Sequence, residues 1–141
     1  MKILTIFISF LFISEASNSH SHFPITRESV LMIAKGKIIY ESNCIGCHQV
    51  NLGGAENWRD LDKDNHRKAP PLNGTGHAWH HDDVNLHNII KYGLVKLVKN
   101  YDGKMLGFEK NLNDEDIDSV LSYMKSFWPN DVYQQQINLS K

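Results

Sequence analysis

Two cysteines and a histidine fall together in the stretch Cys44-Ile45-Gly46-Cys47-His48, and the chain of 141 residues has no other cysteine. On one turn of helix, two thiols at this spacing can reach the two vinyl carbons of a porphyrin as thioethers. The adjoining imidazole is then placed beneath the iron as its proximal ligand. The stretch therefore predicts a covalently attached haem, with Cys44 and Cys47 as attachment points and His48 as an iron ligand.

Two other interpretations of the cysteine pair are weaker. A disulfide between Cys44 and Cys47 would close a very short loop, which removes little conformational entropy from the unfolded chain. A thioredoxin-like redox motif needs a βαβ pattern around it, and no strand-like run flanks Cys44. A thiol-disulfide enzyme is therefore a remote alternative.

Length and charge limit the other classes of function. A chain of 141 residues suits one domain better than two. Its 41% of hydrophobic and 22% of charged residues are typical of a soluble globular protein. The formal net charge of −1 favours neither nucleic-acid binding nor a strong attraction to a membrane surface.

The first residues have the pattern of a signal peptide, which we assign to residues 1–16. Lys2 supplies a positive charge, Ile3–Ile13 is apolar, and Ser-Glu-Ala at 14–16 is a small-x-small cleavage site. The apolar run is shorter than the ~20 residues that span a bilayer as a helix. We expect export to the bacterial periplasm and a mature protein that does not span the membrane, with an uncleaved N-terminal anchor as the alternative.

Apolar spacing predicts a first helix that begins with an N-cap at Thr26 and continues to about Ser42. Gly36 and Tyr40 share one side of this helix. Because a glycine inside a helix costs about 1 kcal/mol relative to alanine, its presence is explained if another helix crosses closely there. A glycine that is simply tolerated in the helix is the alternative. The apolar face predicted for this helix consists of four residues: Val30, Ile33, Ala34 and Ile38.

Two further helices follow from capping signals. Asp82 or Asp83 is expected to cap a short helix that Gly93 closes. Asn113 is expected to cap a last helix that Pro129 stops. The apolar residues of this last helix recur at helical spacing: Ile117, Val120, Leu121, Met124 and Trp128.

From Gly36 to His48 the chain resembles the N-terminal helix and haem-binding motif of class I cytochromes c, and the resemblance covers residues 35–129. It implies an all-α cytochrome c fold, with three to five helices around one haem c. It also implies that Tyr123 crosses near Gly36 and Tyr40. We accordingly expect a flexible leader at residues 17–24, one domain at residues 25–129 and a loose polar tail at residues 130–141.

The stretch from Ala69 to Gly74 resembles the family's G-P-x-L-x-G segment, with alanine in place of the first glycine. The resemblance implies that the Pro70 carbonyl accepts a hydrogen bond from the proximal imidazole and that Leu72 packs on the porphyrin. Such a hydrogen bond fixes the imidazole and raises its basicity. The resemblance also makes Trp79 a candidate donor to a haem propionate. A rigid Pro-Pro turn without haem contact is the alternative.

Met105 lies in a loop flanked by glycines, directly before the last helix. The loop resembles the family's M-P-x-F segment, with Leu106 in place of proline, and this implies Met105 as the second axial ligand. A thioether ligand raises the reduction potential compared with a second histidine. Met32 and Met124 are expected in the core.

Three histidines, His77, His80 and His81, are the main rivals of Met105. They could bind iron, copper or zinc. We favour surface side chains leading into a helix, because a metal site needs converging ligands.

The expected function is electron transfer, without enzymatic activity, since both axial positions of the iron are filled. The partners would be redox proteins that dock transiently at the haem edge, with the chain as a monomer or a subunit of a redox complex. Two alternatives stay open: a haem with an open sixth position that senses small ligands, and a copper-handling module built on His77, His80 and His81. The sequence assigns neither the electron donor nor the acceptor.

Overall fold

The structure, a computed structural model, describes residues 24–141, so the predicted signal peptide and residues 17–23 of the predicted leader lie outside it. Within this part of the chain the regular elements are helical, and isolated bridges replace strands. None of the described helices is long and apolar enough to cross a membrane. The all-α prediction is confirmed. The α-helices are α1 (Val30–Asn43), α2 (Ile45–His48), α3 (Asp83–Tyr92), α4 (Leu94–Leu97), α5 (Asp114–Ser126) and α6 (Asn130–Leu139), and two short 3₁₀ turns are Val50–Leu52 and Ala78–His80.

Helix α1 begins one turn later than predicted. Its N-cap is Ser29, whose hydroxyl accepts a hydrogen bond from the Met32 amide at 3.4 Å. The predicted cap, Thr26, instead has its hydroxyl 3.3 Å from that of Tyr133. The Thr26 prediction was wrong because this side chain is held by a tertiary contact with α6.

The apolar face predicted for α1 was also wrong. Val30 and Ile38 are 77% and 66% exposed, and the buried residues of the helix are Gly36 and Tyr40. Apolar residues occur almost all round α1, so their spacing does not select one face. The face that packs is selected by the closeness with which another backbone can approach Gly36.

The helix that approaches Gly36 is α5. A Cβ atom placed on Gly36 would overlap the backbone carbonyl of Ser119 and lie 2.9 Å from the Cβ of Tyr123. The rings of Tyr40 and Tyr123 pack beside this point, with their centroids 5.5 Å apart. The crossing of α1 and α5 that the resemblance implied is therefore present, and Gly36 lies at its centre.

Helix α5 forms as the sequence predicts. The Asn113 side chain accepts from the Asp116 amide at 2.9 Å, and the Asp116 carboxylate accepts from the Asn113 amide at 3.1 Å. This capping box satisfies two backbone donors at the helix start. The five residues of the predicted apolar stripe are all buried. Pro129 does not end α5 directly, since α5 ends at Ser126 and Pro129 caps α6.

Residues 130–141, expected as a loose tail, instead contain α6. Tyr133 and Gln136 are buried on its inner side. The Gln136 amide donates to Asp83 of α3 at 2.6 Å, and the same carboxylate pairs with the fully buried Lys125 of α5 at 2.6 Å. The polar composition of this segment did not predict a helix, because much of the contact between α6 and the rest of the protein is made by polar side chains.

Replacing Gly36 with alanine is expected to destabilise the protein by about 1–3 kcal/mol, because the added methyl group overpacks the crossing. This loss would outweigh the gain of about 1 kcal/mol in helix propensity. Denaturant unfolding of the haem-loaded protein measures the change. The control is Ala34→Gly on the exposed side of α1, which reports propensity alone. A Gly36→Ala variant more stable than the wild type would contradict a close crossing.

Candidate haem site

The Cys44–His48 motif forms a single helical turn at the end of α1. Cys44 is both the C-cap of α1 and the N-cap of α2, and its amide donates to the Tyr40 carbonyl at 2.8 Å. The Cys44 carbonyl accepts from the amides of Cys47 and His48 at 3.1 and 2.9 Å. Both cysteines are free thiols, Cys44 half-buried and Cys47 exposed. The turn thus holds the thiols and the imidazole as the motif predicts.

Tyr40 connects this turn to the helix crossing. It is 2% exposed, and its hydroxyl donates to the Gln49 carbonyl at 2.8 Å. The residue that packs against α5 therefore also fixes the chain just after His48. Burial, with a smaller effect of Cys47, raises the pKa of the Cys44 thiol to about 11. At neutral pH this sulfur carries its proton, so it is present as the S–H group.

His48 is buried and its Nδ1 lies 2.9 Å from the carbonyl oxygen of Pro70. Because a carbonyl can only accept, Nδ1 carries the proton and Nε2 keeps a free lone pair. Burial lowers the pKa of His48, and the hydrogen bond to Pro70 opposes this only in part. A neutral imidazole fixed through Nδ1 is the state in which histidine binds metals.

The Pro70 carbonyl is placed by two short stretches of backbone. Hydrogen bonds of 2.8 and 2.9 Å join residues 52–55 to residues 69–72. Gly54, at φ 73°, is in the left-handed region that favours glycine. A Cβ atom on it would overlap the Pro71 nitrogen and lie 2.6 Å from the Pro70 carbonyl carbon. Gly54 therefore supports the Pro70–Pro71 peptide from behind, a role that the sequence did not reveal.

Leu72 and Trp79 are both half-buried and pack against the hydrophobic core. Leu72 is half-buried, and its carbonyl accepts from the indole N–H of Trp128 at 2.8 Å. This second use of Trp128, beyond the apolar stripe, was also missed. The indole N–H of Trp79 donates to the Gly76 carbonyl at 3.1 Å, so the predicted propionate donor is already engaged. The half-buried residues bordering the core here include Cys44, Ile45, Leu72, Ala78, Trp79 and Ile90.

The loop that carries Met105 is seated on the C-terminal end of α3. The Met105 carbonyl accepts from the Val95 amide at 3.4 Å, and the Phe108 amide donates to the Ile90 carbonyl at 3.0 Å. Gly93 closes α3 at φ 78°, as predicted. A Cβ atom on Gly93 would lie 2.7 Å from the Met105 carbonyl oxygen, so the loop packs directly against the helix end. Met105 itself is half-buried.

The three rival histidines do not converge. The rings of His77 and His81 lie 6.0 Å apart, and His77 stacks on Trp58 at 6.1 Å. His80 stacks on Trp79 at 3.7 Å. Burial, with the neighbouring histidines, lowers the pKa of His77. Within residues 24–141, the group whose ligand atoms lie within 4.8 Å of one another consists of Asp62, Asp64 and His66.

These residues fit a haem c. Cys44 and Cys47 offer two free thiols on one turn, and His48 offers an unprotonated Nε2 held by the Pro70 hydrogen bond. Half-buried apolar residues, Ile45 and Leu72 among them, pack against the same hydrophobic core as Cys44. The donor set and its supports therefore agree with the cofactor that the motif predicts.

The family model for cytochrome c matches residues 33–128, which is most of the chain. The chain therefore belongs to the cytochrome c family. Proteins of this family carry a haem c and in general transfer electrons. Comparisons with the curated proteins and with the solved structures give no match.

The role of Gly54 can be tested through the reduction potential. In a Gly54→Ala variant the methyl group displaces the Pro70–Pro71 peptide, so the His48 hydrogen bond weakens and the imidazole becomes a poorer electron donor. Ferric iron is then stabilised less, and we expect the potential of the haem-loaded protein to rise in a redox titration. Gly53→Ala is the control, because its Cβ would meet only the Val50 carbonyl at 3.5 Å. Equal potentials in both variants would exclude this role for Gly54.

Proposed function

We propose that this protein is a periplasmic electron carrier with one haem c, whose iron would be held by His48 and Met105. The observation that carries the proposal is the hydrogen bond of 2.9 Å from His48 Nδ1 to the Pro70 carbonyl, within a turn that also holds both thiols. A bound haem supplies an iron that alternates between the ferrous and ferric states.

Cys44 and Cys47 fix the cofactor covalently in this proposal. Each S–H group would hold the cofactor by adding across one vinyl double bond, with the sulfur on one carbon and the hydrogen on its neighbour. His48 then has its position set twice, by the helical turn and by Pro70. Because its orientation is fixed before an electron arrives, little reorganisation accompanies a change of charge on the iron.

Met105 is the methionine that we assign to the second axial position. Of the three methionines in the described residues, Met124 is buried in the core and Met32 lies in the crossing, its sulfur 4.0 Å from the Ser122 hydroxyl. Met105 alone among them lies on a loop, and that loop is seated on the end of α3. A sulfur ligand favours ferrous iron and gives a higher potential than a second histidine would.

With both axial positions filled, as proposed, the iron would have no open site for a substrate, so the protein would act as a carrier rather than an enzyme. Partner proteins would approach near the exposed Cys47 and Val50, which flank His48. We expect interfaces below about 1,200 Å², as is typical of transient redox complexes. The signal-peptide pattern at residues 1–16 supports the periplasm as the compartment, where free haem-loaded protein could exchange electrons with several partners.

The axial assignment predicts the spectrum of a Met105→Ala variant. We expect it to lose the weak near-infrared band of a methionine–iron bond and to bind carbon monoxide in the reduced state, because the sixth position opens. Met124→Leu is the matched control, a substitution of similar volume in the core that should keep the band. The axial role fails if Met105→Ala retains the band. Denaturing mass spectrometry checks the attachment separately: the wild type should keep the mass of one haem, and a Cys44→Ala/Cys47→Ala double variant should keep none.

A further inference from the structure

The residue before Met105 forms an ion pair with a distant loop. The Nζ atom of Lys104 lies 2.9 Å from Oδ2 of Asp62 and 3.6 Å from Oδ2 of Asp64. Asp62 belongs to a tight turn, residues 61–67, whose ends are joined by an isolated antiparallel bridge between Leu61 and Arg67. We name this segment the Asp62 turn.

The two oxygens of the Asp62 carboxylate contact different groups. Its Oδ1 accepts from the amides of Asp64 and His66, both at 2.9 Å, and so orders the turn itself. Its Oδ2 faces Lys104. Lys104 and the His66 amide hold the pKa of Asp62 well below its usual range, so the carboxylate is charged at neutral pH. Asp62 is therefore already fixed when it binds Lys104.

A backbone contact joins the same two segments. The Arg67 amide donates to the Asp102 carbonyl at 2.6 Å, and an isolated parallel bridge pairs Arg67 with Gly103. The Tyr101 ring covers Gly103 so closely that a Cβ atom there would overlap it. The three residues before Met105 are thus held by one backbone contact and one side-chain contact, both from the Asp62 turn.

We propose that the Asp62 turn positions the axial methionine, and that the ion pair between Asp62 and Lys104 is the contact through which it does so. Asp62 is a positioning residue, since it acts through Lys104 and the backbone of Met105. The inference rests on the axial role of Met105 proposed above. It adds a determinant of ligand retention that lies 42 residues away from Lys104 in the chain.

The effect should concern the loop more than the whole fold. Exposed ion pairs contribute little to global stability, because two flexible side chains must be ordered and the charges are screened. Here one partner is ordered in advance, and the segment it holds is a loop of the kind that opens locally. Losing the pair should therefore increase the fraction of molecules with a detached sulfur, while unfolding of the helices changes little.

The same loop region offers a matched control. Lys96 pairs with Glu109 at 3.1 Å, and its side chain is 61% exposed against 58% for Lys104. Among residues 24–141, Lys96 and Glu109 form no hydrogen bond or ion pair with the Asp62 turn. A Lys96→Met variant thus removes one exposed lysine, its ion pair and its contact over the Tyr92 ring at 4.8 Å, and leaves the Asp62 turn and Lys104 unchanged.

The experiment uses the haem-loaded protein with Asp62→Asn, Lys104→Met, the double variant and Lys96→Met. Asparagine can keep an oxygen toward the turn while removing the negative charge that faces Lys104. Two properties are measured: the temperature at which the near-infrared band of the ferric protein disappears, and the rate of carbon monoxide binding to the ferrous protein. We expect a lower temperature and a severalfold faster rate for both single variants, and no further change in the double variant.

Three results would overturn the proposal. Equal effects in Lys96→Met would show a general influence of surface charge. If Asp62→Asn and Lys104→Met left both the temperature of band loss and the rate of carbon monoxide binding unchanged, the ion pair would not position Met105. If the temperature of global unfolding, measured by circular dichroism, fell as much as the temperature of band loss, the ion pair would be an ordinary structural contact.

Failure of the axial assignment is distinguishable from these results. If Met105→Ala keeps the near-infrared band, the assignment of Met105 fails and the positioning role fails with it. If Met105→Ala loses the band while Asp62→Asn behaves as the wild type, the positioning role alone fails.

Discussion

The contact between the backbone of Gly36 and the carbonyl of Ser119 decides how close α1 and α5 can come, and most of the site follows from it. Because α1 is fixed at the crossing, its end at Cys44 is fixed too. Tyr40 packs at the crossing and binds the carbonyl of Gln49, so both sides of the haem-binding turn are held. The turn is therefore an extension of the helix pair rather than a free loop.

Beyond the turn, the site depends on irregular segments that glycines allow to pack closely. Gly54 allows its own segment of backbone to lie against the Pro70–Pro71 peptide. This contact fixes the Pro70 carbonyl that accepts the hydrogen bond from His48. Gly93 lets the Met105 loop lie against the end of α3. In both places a missing side chain gives a segment of backbone a defined position. The segments that carry Pro70 and Met105 are thus held by backbone contacts at a few points.

Local signals made the prediction succeed where they were strong. Three local signals predicted a local geometry that the structure contains: the cysteine motif, the Asn113 capping box and the position of Gly36. The sequence failed where partners lie far apart or are polar. Helix α6 was missed because Gln136 docks through Asp83, and the pairing of Lys104 with the Asp62 turn leaves no periodic trace. The buried face of α1 could not be predicted, because the apolar residues of that helix are distributed over almost all of its sides.

The crossing joins helices that are far apart along the chain, and this has a consequence for biosynthesis. A polypeptide exported N-terminus first, as proposed above, presents α1 and the Cys44 turn before α5 has emerged, so Gly36 has no neighbour during that interval. Contacts between distant segments form late, because closing a long loop costs entropy. The thiols of Cys44 and Cys47 are accordingly open to a porphyrin before the chain closes around them, and attachment can precede tertiary assembly.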